Sequence, residues 1–365
     1  MVNAEGDSLN LSSESAILMD AESGKILYEK NIDEQLPMAS MTKIMSMLLI
    51  MESIANGSLK YEDKVMISEN ASGMGGSQVF LQAGEEYTVN DLLKCIAVSS
   101  ANDAVVAMAE KISGSVDAFV SLMNERAKEL GLNNTNFANP HGLDNEDHYS
   151  TAYDMAIMAK ELLRHEDILK YTSIYEDYLT KPDGSQVWLV NTNRLVRFYD
   201  GVDGLKTGYT TEAGYCLTAT AKKNDLRLIS VVMKSPSAEE RSSDTSTLLS
   251  YGFNSFKNNI IYSKDKSLGK VSVEKGKIKE VDVYLKEDAT EILNVTEKPS
   301  NYSFNIKVDK IKAPVKSGTV VGTTEIIDNN GNIIKEVEII VKEDIERAGF
   351  FDYLKQSFKF ITSGI

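Results

Sequence analysis

Two residues in the first quarter of the chain have types and a spacing suited to nucleophilic catalysis. Ser40 and Lys43 form an S-x-x-K string. A serine hydroxyl is a weak nucleophile that needs a general base, and a lysine amine that is desolvated loses its proton and can act as that base. Two further strings, Ser100-Ala101-Asn102 and Lys206-Thr207-Gly208, bring together hydroxyl, amide and ammonium groups.

None of these strings is specific by itself. S-x-x-K recurs at residues 263–266, 267–270 and 272–275, S-x-N recurs at 8–10, 68–70 and 303–305, and K-[ST]-G recurs at 316–318. The later S-x-x-K strings lie among polar alternating segments, where a lysine stays protonated in water. The surrounding sequence must therefore decide which set carries chemistry.

The surroundings of Ser40 predict that it opens a helix. Pro37 breaks the chain before it, and residues 42–54 have helical periodicity. A serine at a helix N-terminus lies near free backbone N–H groups and the positive end of the helix dipole. Lys43 lies one turn later on the same face, so its amine can reach the Ser40 hydroxyl.

The other two strings each allow two interpretations. Ser100-Ala101-Asn102 separates the helical stretches 90–98 and 103–112, so it either projects into a cleft or caps the second helix. Lys206-Thr207-Gly208 precedes a predicted strand pair, 216–221 and 226–233. It is either an exposed turn or part of a site in which Gly208 lets a substrate backbone approach. The order of all three strings favours the functional interpretation.

Composition restricts the class of protein. The chain has 365 residues, 42% hydrophobic and 25% charged, with a net charge of −15. This is ordinary globular composition, and the acidity argues against a nucleic-acid partner. Cys95 and Cys216 lie in apolar stretches and are predicted to be buried thiols, with a disulfide as the alternative. No run of about 18 apolar residues predicts a transmembrane helix.

The pattern changes near residue 255 and predicts two domains and a terminal helix. Residues 1–255 mix strand-like runs with helical stretches such as 151–163 and hold 21 basic and 37 acidic residues. Residues 256–343 alternate in short segments, which is typical of a β-sandwich-like domain. Residues 256–365 hold 18 basic and 17 acidic residues. The predicted architecture is thus a mixed α/β catalytic domain followed by a smaller all-β domain.

Both ends of the chain have sequence patterns that occur in targeting segments. Val2-Asn3-Ala4 has the small-residue pattern of a signal-peptidase site, with a plain cytosolic start as the alternative. Residues 344–365 predict an amphipathic helix that either lies in a membrane interface or folds back on its own domain. Its apolar stripe consists of Phe350, Phe351, Leu354, Phe358 and Ile361.

The three strings, in this order, are the signature of penicillin-binding proteins and serine β-lactamases. The chain resembles the low-molecular-mass penicillin-binding proteins of the serine D-alanyl-D-alanine carboxypeptidase family. The likeness extends over nearly the whole chain, to G-S-x-x-F-L at 76–81, H-G-L-D at 141–144, G-V-D-G-L-K-T-G-Y-T at 201–210 and A-G-F-F at 348–351. The resemblance implies a penicillin-binding/β-lactamase-like transpeptidase fold with an all-β C-terminal domain and a terminal amphipathic helix.

The resemblance also implies a reaction and its partners. The substrate is the D-Ala-D-Ala end of a peptidoglycan stem pentapeptide, β-lactam antibiotics acylate the same serine, and neither metal nor other cofactor is needed. The enzyme is expected outside the cytoplasm, exported by a signal peptide and held at the outer face of the membrane by its C-terminal helix. It would trim cross-link donors during cell-wall maturation.

The family's roles transfer to matching positions of this sequence. Lys43 takes the proton of Ser40, Ser100 passes a proton to the leaving D-alanine, and Asn102 holds Lys43 and the substrate amide. Backbone N–H groups of Ser40 and Tyr209 form the oxyanion hole. The substrate carboxylate is bound by Lys206 and Thr207, next to Gly208. Arg241, expected just before the last helix of the first domain, is a further candidate.

Four points leave alternatives open. Tyr209 stands where some family members have histidine, which puts any role of that side chain in doubt. A β-lactamase would share the acylation step but would need a second base for fast deacylation. A non-catalytic wall-binding or sensor protein could keep the fold, although the complete set of site residues argues against it. His141 and His148 lack compact metal-ligand spacing.

Overall fold

The computed structural model describes residues 9–352. The chain divides into two compact units at the Ser255–Phe256 junction. Of the helices in residues 9–352, none combines the length and the apolar character that crossing a bilayer requires. The N-terminal signal pattern at residues 2–4 and most of the expected terminal helix lie outside the described residues.

The first unit mixes strands and helices. Its strands are β1 (Ser15–Asp20), β2 (Ile26–Lys30), β3 (Lys64–Met66), β4 (Glu86–Thr88), β5 (Glu176–Thr180), β6 (Gln186–Val190), β7 (Val202–Thr210), β8 (Gly214–Lys223) and β9 (Leu226–Ser235). Its α-helices are α1 (Lys43–Ala55), α2 (Glu69–Ser72), α3 (Val89–Ser99), α4 (Asn102–Ser113), α5 (Val116–Glu129), α6 (Ala152–Leu163), α7 (Leu169–Thr172), α8 (Leu195–Phe198) and α9 (Ala238–Ser255). Two 3-10 turns lie at Ala39–Thr42 and Glu166–Ile168.

A five-stranded antiparallel sheet forms the framework of this unit. Its strand order is β2-β1-β9-β8-β7, so the strand that carries Lys206-Thr207-Gly208 is at one edge. Successive side chains of a strand point to opposite faces. On one face Leu18 contacts α9 at Gly252, where an added Cβ would lie 2.8 Å from the leucine. On the other face Ile17 and Met19 join the main core with α1 and α6.

Helix α1 is the centre of the main core. Its first nine residues, Lys43 to Met51, are all buried, and it contacts α3, α4, α5 and α6. A helix that is apolar on all sides has to be enclosed by other elements. Because other elements enclose α1, the side chain of Lys43 in its first turn is removed from water.

The second unit is a small β structure. Its strands are β10 (Phe256–Tyr262), β11 (Ser267–Glu274), β12 (Glu280–Leu285), β13 (Ala289–Asn294), β14 (Ser303–Val308), β15 (Ile311–Lys312), β16 (Val320–Ile327) and β17 (Ile333–Val341). A six-stranded sheet has the order β14-β16-β17-β12-β11-β15, and β10 pairs with β13. Apolar side chains of both sheets meet in one cluster that includes Leu285, Ala289 and Ile326.

The fold class predicted from the sequence is confirmed, with one correction at the C-terminal end. The helix expected from residue 344 is absent at 344–349. Ile345 instead exchanges two backbone hydrogen bonds with Val315, and Arg347 forms a bridge with Gly276. Ile345 is buried in the apolar cluster of the second unit, so its side chain and backbone both favour extended pairing there. Helical residues begin at Phe350.

Candidate active site

Ser40 lies in a tight turn that precedes α1. The 3-10 turn Ala39–Thr42 leads directly into the helix, so the expected helix start is preceded by a narrower turn. The Ser40 side chain is half-buried, and its Oγ lies 3.0 Å from Lys43 Nζ. The spacing of the S-x-x-K string therefore brings the hydroxyl and the amine into hydrogen-bond contact.

The Lys43 amine is fully buried and contacts three oxygens. Nζ donates to Asn102 Oδ1 at 2.7 Å and to the His141 carbonyl at 2.7 Å, besides its contact with Ser40 Oγ. Burial lowers the pKa of Lys43 well below its usual range, and the charge of Lys206 lowers it further. A neutral amine has two hydrogens and one lone pair. Because two carbonyl oxygens take the hydrogens, the lone pair is left for the proton of Ser40.

Neither Ser100 nor Asn102 caps the N-terminus of α4 with its side chain. Ser100 has a left-handed backbone (φ 61°) at the end of α3, and α4 begins at Asn102 without any side-chain cap. Asn102 donates from Nδ2 to the Gly75 carbonyl at 2.7 Å while its Oδ1 accepts from Lys43. The buried Ser100 Oγ has no hydrogen-bond partner among residues 9–352. A buried hydroxyl without a partner is costly, so it favours a ligand at this position.

The Lys206-Thr207-Gly208 string lies within β7, not in an exposed turn. An added Cβ on Gly208 would lie 2.7 Å from the Met38 carbonyl oxygen and 3.2 Å from Ser40 N. The glycine therefore lets β7 lie against the backbone of the serine turn, in addition to the substrate access expected from the sequence. Tyr209, 55% exposed, stacks on Tyr215 with ring centroids 4.3 Å apart.

Lys206 and Arg241 are buried cations next to one another. Burial lowers the pKa of Lys206 to about 7, and the charge of Arg241 contributes. Arg241 lies inside α9, not before it as expected, and its buried Nε has no partner in the described part of the chain. Lys206 donates to the Thr207 carbonyl, and Thr207 Oγ1 donates to Thr192 Oγ1. Buried charges are normally paired. Two buried cations without a carboxylate partner among residues 9–352 therefore favour binding of an anion.

The two histidines considered as metal ligands have structural contacts. His141 supplies its carbonyl to Lys43, and His148 Nε2 lies 2.7 Å from Thr42 Oγ1. Residues 9–352 contain no group of three or more potential metal ligands. Cys95 and Cys216 are buried free thiols, as predicted.

Sequence reasoning missed the segment that holds Asn102 in place. This segment, residues 75–81, contacts Asn102 through two backbone carbonyls. The Gly75 carbonyl accepts from Asn102 Nδ2, and the Ser77 carbonyl accepts from the Asn102 backbone N–H at 2.7 Å. The buried carboxylate of Asp103 fixes the segment by accepting from Val79 N and Leu81 N, each at 3.1 Å. The string G-S-x-x-F-L at residues 76–81, part of the family resemblance, is the signal in the sequence that could have located this segment.

The fold and this geometry define a class: a protein in which a serine hydroxyl lies beside a buried lysine amine, with two further buried cations suited to binding an anion. A family model described as D-alanyl-D-alanine carboxypeptidase matches residues 2–237, and one described as penicillin-binding protein 5, C-terminal domain, matches residues 256–347. The chain belongs to the D-alanyl-D-alanine carboxypeptidase family.

Individual relatives agree with this membership. The chain is 49% identical to the D-alanyl-D-alanine carboxypeptidase DacF of Bacillus subtilis, over 94% of this chain and 88% of the relative. A crystal structure of PBP3 from Streptococcus pneumoniae, a peptidoglycan synthesis regulatory factor, covers 92% of this chain and 100% of its own, at 29% identity and a TM-score of 0.76. The ampicillin-bound penicillin-binding protein D2 of Listeria monocytogenes covers 67% of this chain and 99% of its own, at 33% identity and a TM-score of 0.60.

Proposed function

We propose that this chain removes the terminal D-alanine from peptidoglycan stem pentapeptides through an acyl-enzyme on Ser40. The observation that carries the proposal is the buried Lys43 amine, 3.0 Å from Ser40 Oγ, with its pKa lowered by burial. Lys43 takes the hydroxyl proton as Oγ attacks the carbonyl carbon of the D-Ala-D-Ala bond. The C–N bond then breaks, the proton passes to the leaving amine, and water hydrolyses the ester.

The neighbouring groups have separate roles in this proposal. Ser100, with its unpartnered buried hydroxyl, passes the proton from Lys43 to the leaving D-alanine. Asn102 orients Lys43 and the substrate amide. Backbone N–H groups of Ser40 and Tyr209 stabilise the oxyanion, a contribution that is worth about 2.7–4 kcal/mol per donor in a related chemistry.

The buried cations explain selectivity for a chain end. The C-terminal carboxylate of the substrate supplies the anion that Lys206 and Arg241 lack, and Thr207 adds a hydroxyl donor. An amide in place of that carboxylate would leave two buried charges unpaired. Carboxypeptidase activity, as opposed to cleavage within a chain, follows from this requirement. A β-lactam, with its carboxylate next to a strained amide, would acylate Ser40 by the same route.

The membrane surface is proposed as the place of action. The apolar stripe of residues 350–361 and the basic residues Lys355 and Lys359 support binding of a terminal helix in the interface of an anionic membrane. The substrate is part of the cell wall, so the enzyme would lie at the outer face of the membrane, exported by a signal peptide.

Release of D-alanine from a diacylated Lys-D-Ala-D-Ala peptide tests the proposed reaction. The wild-type protein should release D-alanine and become labelled by fluorescent penicillin, and Ser40→Ala should do neither. A protein that binds labelled penicillin and hydrolyses it within seconds would instead be a β-lactamase. A protein that neither releases D-alanine nor takes up the label would be a binding protein on the same fold.

A further inference from the structure

Ala39, the residue before Ser40, has an unusual backbone conformation. Ala39 has φ 46°, in the left-handed region that residues other than glycine seldom adopt. A trans peptide points its carbonyl oxygen and its N–H in opposite directions. The direction of the Ala39 carbonyl therefore decides where the Ser40 N–H points.

Two neighbours fix that carbonyl. Thr42 Oγ1 donates a hydrogen bond of 2.7 Å to the Ala39 oxygen. Gly142 closes the other side, since an added Cβ there would lie 2.0 Å from the same oxygen. A strained peptide persists only where its surroundings hold it, and here a hydroxyl and a glycine backbone do so.

His148 completes the arrangement through Thr42. Its Nε2 lies 2.7 Å from Thr42 Oγ1, and its Nδ1 accepts from Ala138 N at 2.9 Å. The threonine hydrogen is already donated to Ala39, so Thr42 must accept from His148. Nδ1 accepts, so the proton of the neutral ring lies on Nε2. The chain of donors runs in one direction, from Ala138 through His148 and Thr42 to the Ala39 carbonyl.

The ring stays neutral over the working range of pH. Burial lowers the pKa of His148 to about 4; the charge of Lys43 adds to this and that of Asp144 opposes it. Asp144, Glu146 and Glu212 line the same cavity as His148. A second proton on Nδ1 would face the Ala138 N–H, so the relay exists only with the neutral ring.

We propose that His148 and Thr42 are positioning residues that aim the Ser40 N–H into the oxyanion hole. The proposal rests on the proposed function, because it assigns the Ser40 N–H a part in the acyl-transfer steps. Neither side chain needs to touch the substrate. Each acts through the Ala39 carbonyl, at the opposite end of the peptide that carries the donor.

Thr42→Val tests the relay because it keeps the side-chain shape and removes the hydroxyl. The measurements are the rate constants of acylation by penicillin and of release of the acyl group, together with the dissociation constant of the non-covalent complex. Removing an oxyanion donor costs about 100- to 1000-fold, so a donor that is only misdirected should slow both steps about 10-fold or more. The dissociation constant should stay within about twofold, and Thr42→Ser should recover most of both rates.

Two further comparisons separate the relay from ordinary packing. His148→Gln can still donate near the Nε2 position and His148→Asn cannot, so the glutamine variant should be the faster one at equal thermal stability. Ser46→Ala removes another buried hydrogen bond between α1 and the same loop, to the Pro140 carbonyl, without touching the Ala39–Ser40 peptide. Its rate constants should stay within about twofold of wild type.

Specific results would overturn the proposal. Equal rates for Thr42→Val and Thr42→Ser would remove the relay, as would a Ser46→Ala variant that is slowed as much as Thr42→Val. If the valine variant does not fold, the histidine variants decide. A His148→Asn protein that is acylated as fast as His148→Gln would also overturn the relay. Failure of the proposed function would be visible earlier, as a wild-type protein that forms no acyl-enzyme on Ser40.

Discussion

At the scale of single residues, the site is organised by cations that are buried without carboxylate partners. Lys43, Lys206 and Arg241 are all 8% exposed or less, and no ion pair within residues 9–352 links any of them to an acidic side chain. Burial of an ammonium group favours its neutral form. In the proposed mechanism Lys43 is therefore the base, and Lys206 and Arg241 bind the substrate carboxylate.

The amine of Lys43 predicts a one-sided pH dependence of acylation. Its pKa is lowered, so the reactive neutral form dominates above that pKa and is lost as the pH falls through it. Lys43→Met should reduce the acylation rate by about 100- to 10,000-fold, the contribution of a general base. Labelling by penicillin at several pH values measures both effects. Lys64→Met, which changes an exposed lysine, should keep the wild-type rate and pH dependence; equal loss in both variants would argue against the base assignment.

Lys206 predicts the opposite dependence for substrate binding. With a pKa of about 7, it is a cation below that pH and attracts the substrate carboxylate, so kcat/KM should decline as the pH rises above about 7. Arg241→Gln removes one cause of the lowered pKa. The alkaline limb should therefore move to higher pH, while loss of a charged hydrogen bond raises KM about 10- to 100-fold.

The pH profile of kcat/KM for the wild type and Arg241→Gln measures both predictions. A limb that stays in place, or moves to lower pH, would show that Arg241 does not act on Lys206. A KM unchanged by Arg241→Gln would remove the arginine from the carboxylate site.

Among the secondary-structure elements, sequence periodicity predicted the helices that pack with one apolar face. It missed a strand whose residues are explained by tertiary contacts. Helices α3, α4 and α6 agree with the predicted stretches 90–98, 103–112 and 151–163 to within one residue at each end. Strand β7 was missed because two glycines and a buried lysine break any alternation of apolar residues. Gly208 is explained only by the backbone of Met38 and Ser40, which lie far away in sequence.

The close approach of β7 to the Ser40 turn predicts that adding one methyl group at Gly208 slows acylation. In Gly208→Ala, the Cβ would meet the Met38 carbonyl oxygen at 2.7 Å, so either the strand or the Ser40 turn must shift. We expect the acylation rate to fall about 10-fold or more, because misplacement of reacting groups by about 1 Å costs up to about 100-fold. Stopped-flow labelling measures the rate.

A matched control separates geometry from stability. Val202→Ala removes buried apolar volume at the start of the same strand and should lower the melting temperature while leaving the rate of the folded protein near wild type. A Gly208→Ala protein with the wild-type acylation rate would mean that the contact has no part in placing Ser40.

At the scale of the whole molecule, charge is distributed unevenly between the two units. The first 255 residues have 21 basic and 37 acidic side chains, and the remainder has 18 and 17. An anionic membrane repels an acidic surface and attracts basic residues within a screening distance of about 10 Å. For the proposed membrane attachment, we expect the charge pattern to favour binding through the C-terminal segment and to repel the acidic first unit from the membrane.

The pairing of residues 344–348 determines where a deletion should begin to test this attachment. Ile345 is 2% exposed and hydrogen-bonded to Val315, so a deletion from residue 344 would damage the second unit and confuse loss of anchoring with loss of folding. Deletion of residues 350–365 leaves that pairing intact. It should abolish sedimentation with anionic vesicles and preserve both D-alanine release and the melting temperature.

The double variant Lys355→Gln and Lys359→Gln tests the contribution of charge. It should weaken binding to anionic vesicles and leave binding to neutral vesicles unchanged. Equal sedimentation of the full and shortened chains would show that the terminal segment is not the anchor, and would assign any membrane binding to another surface.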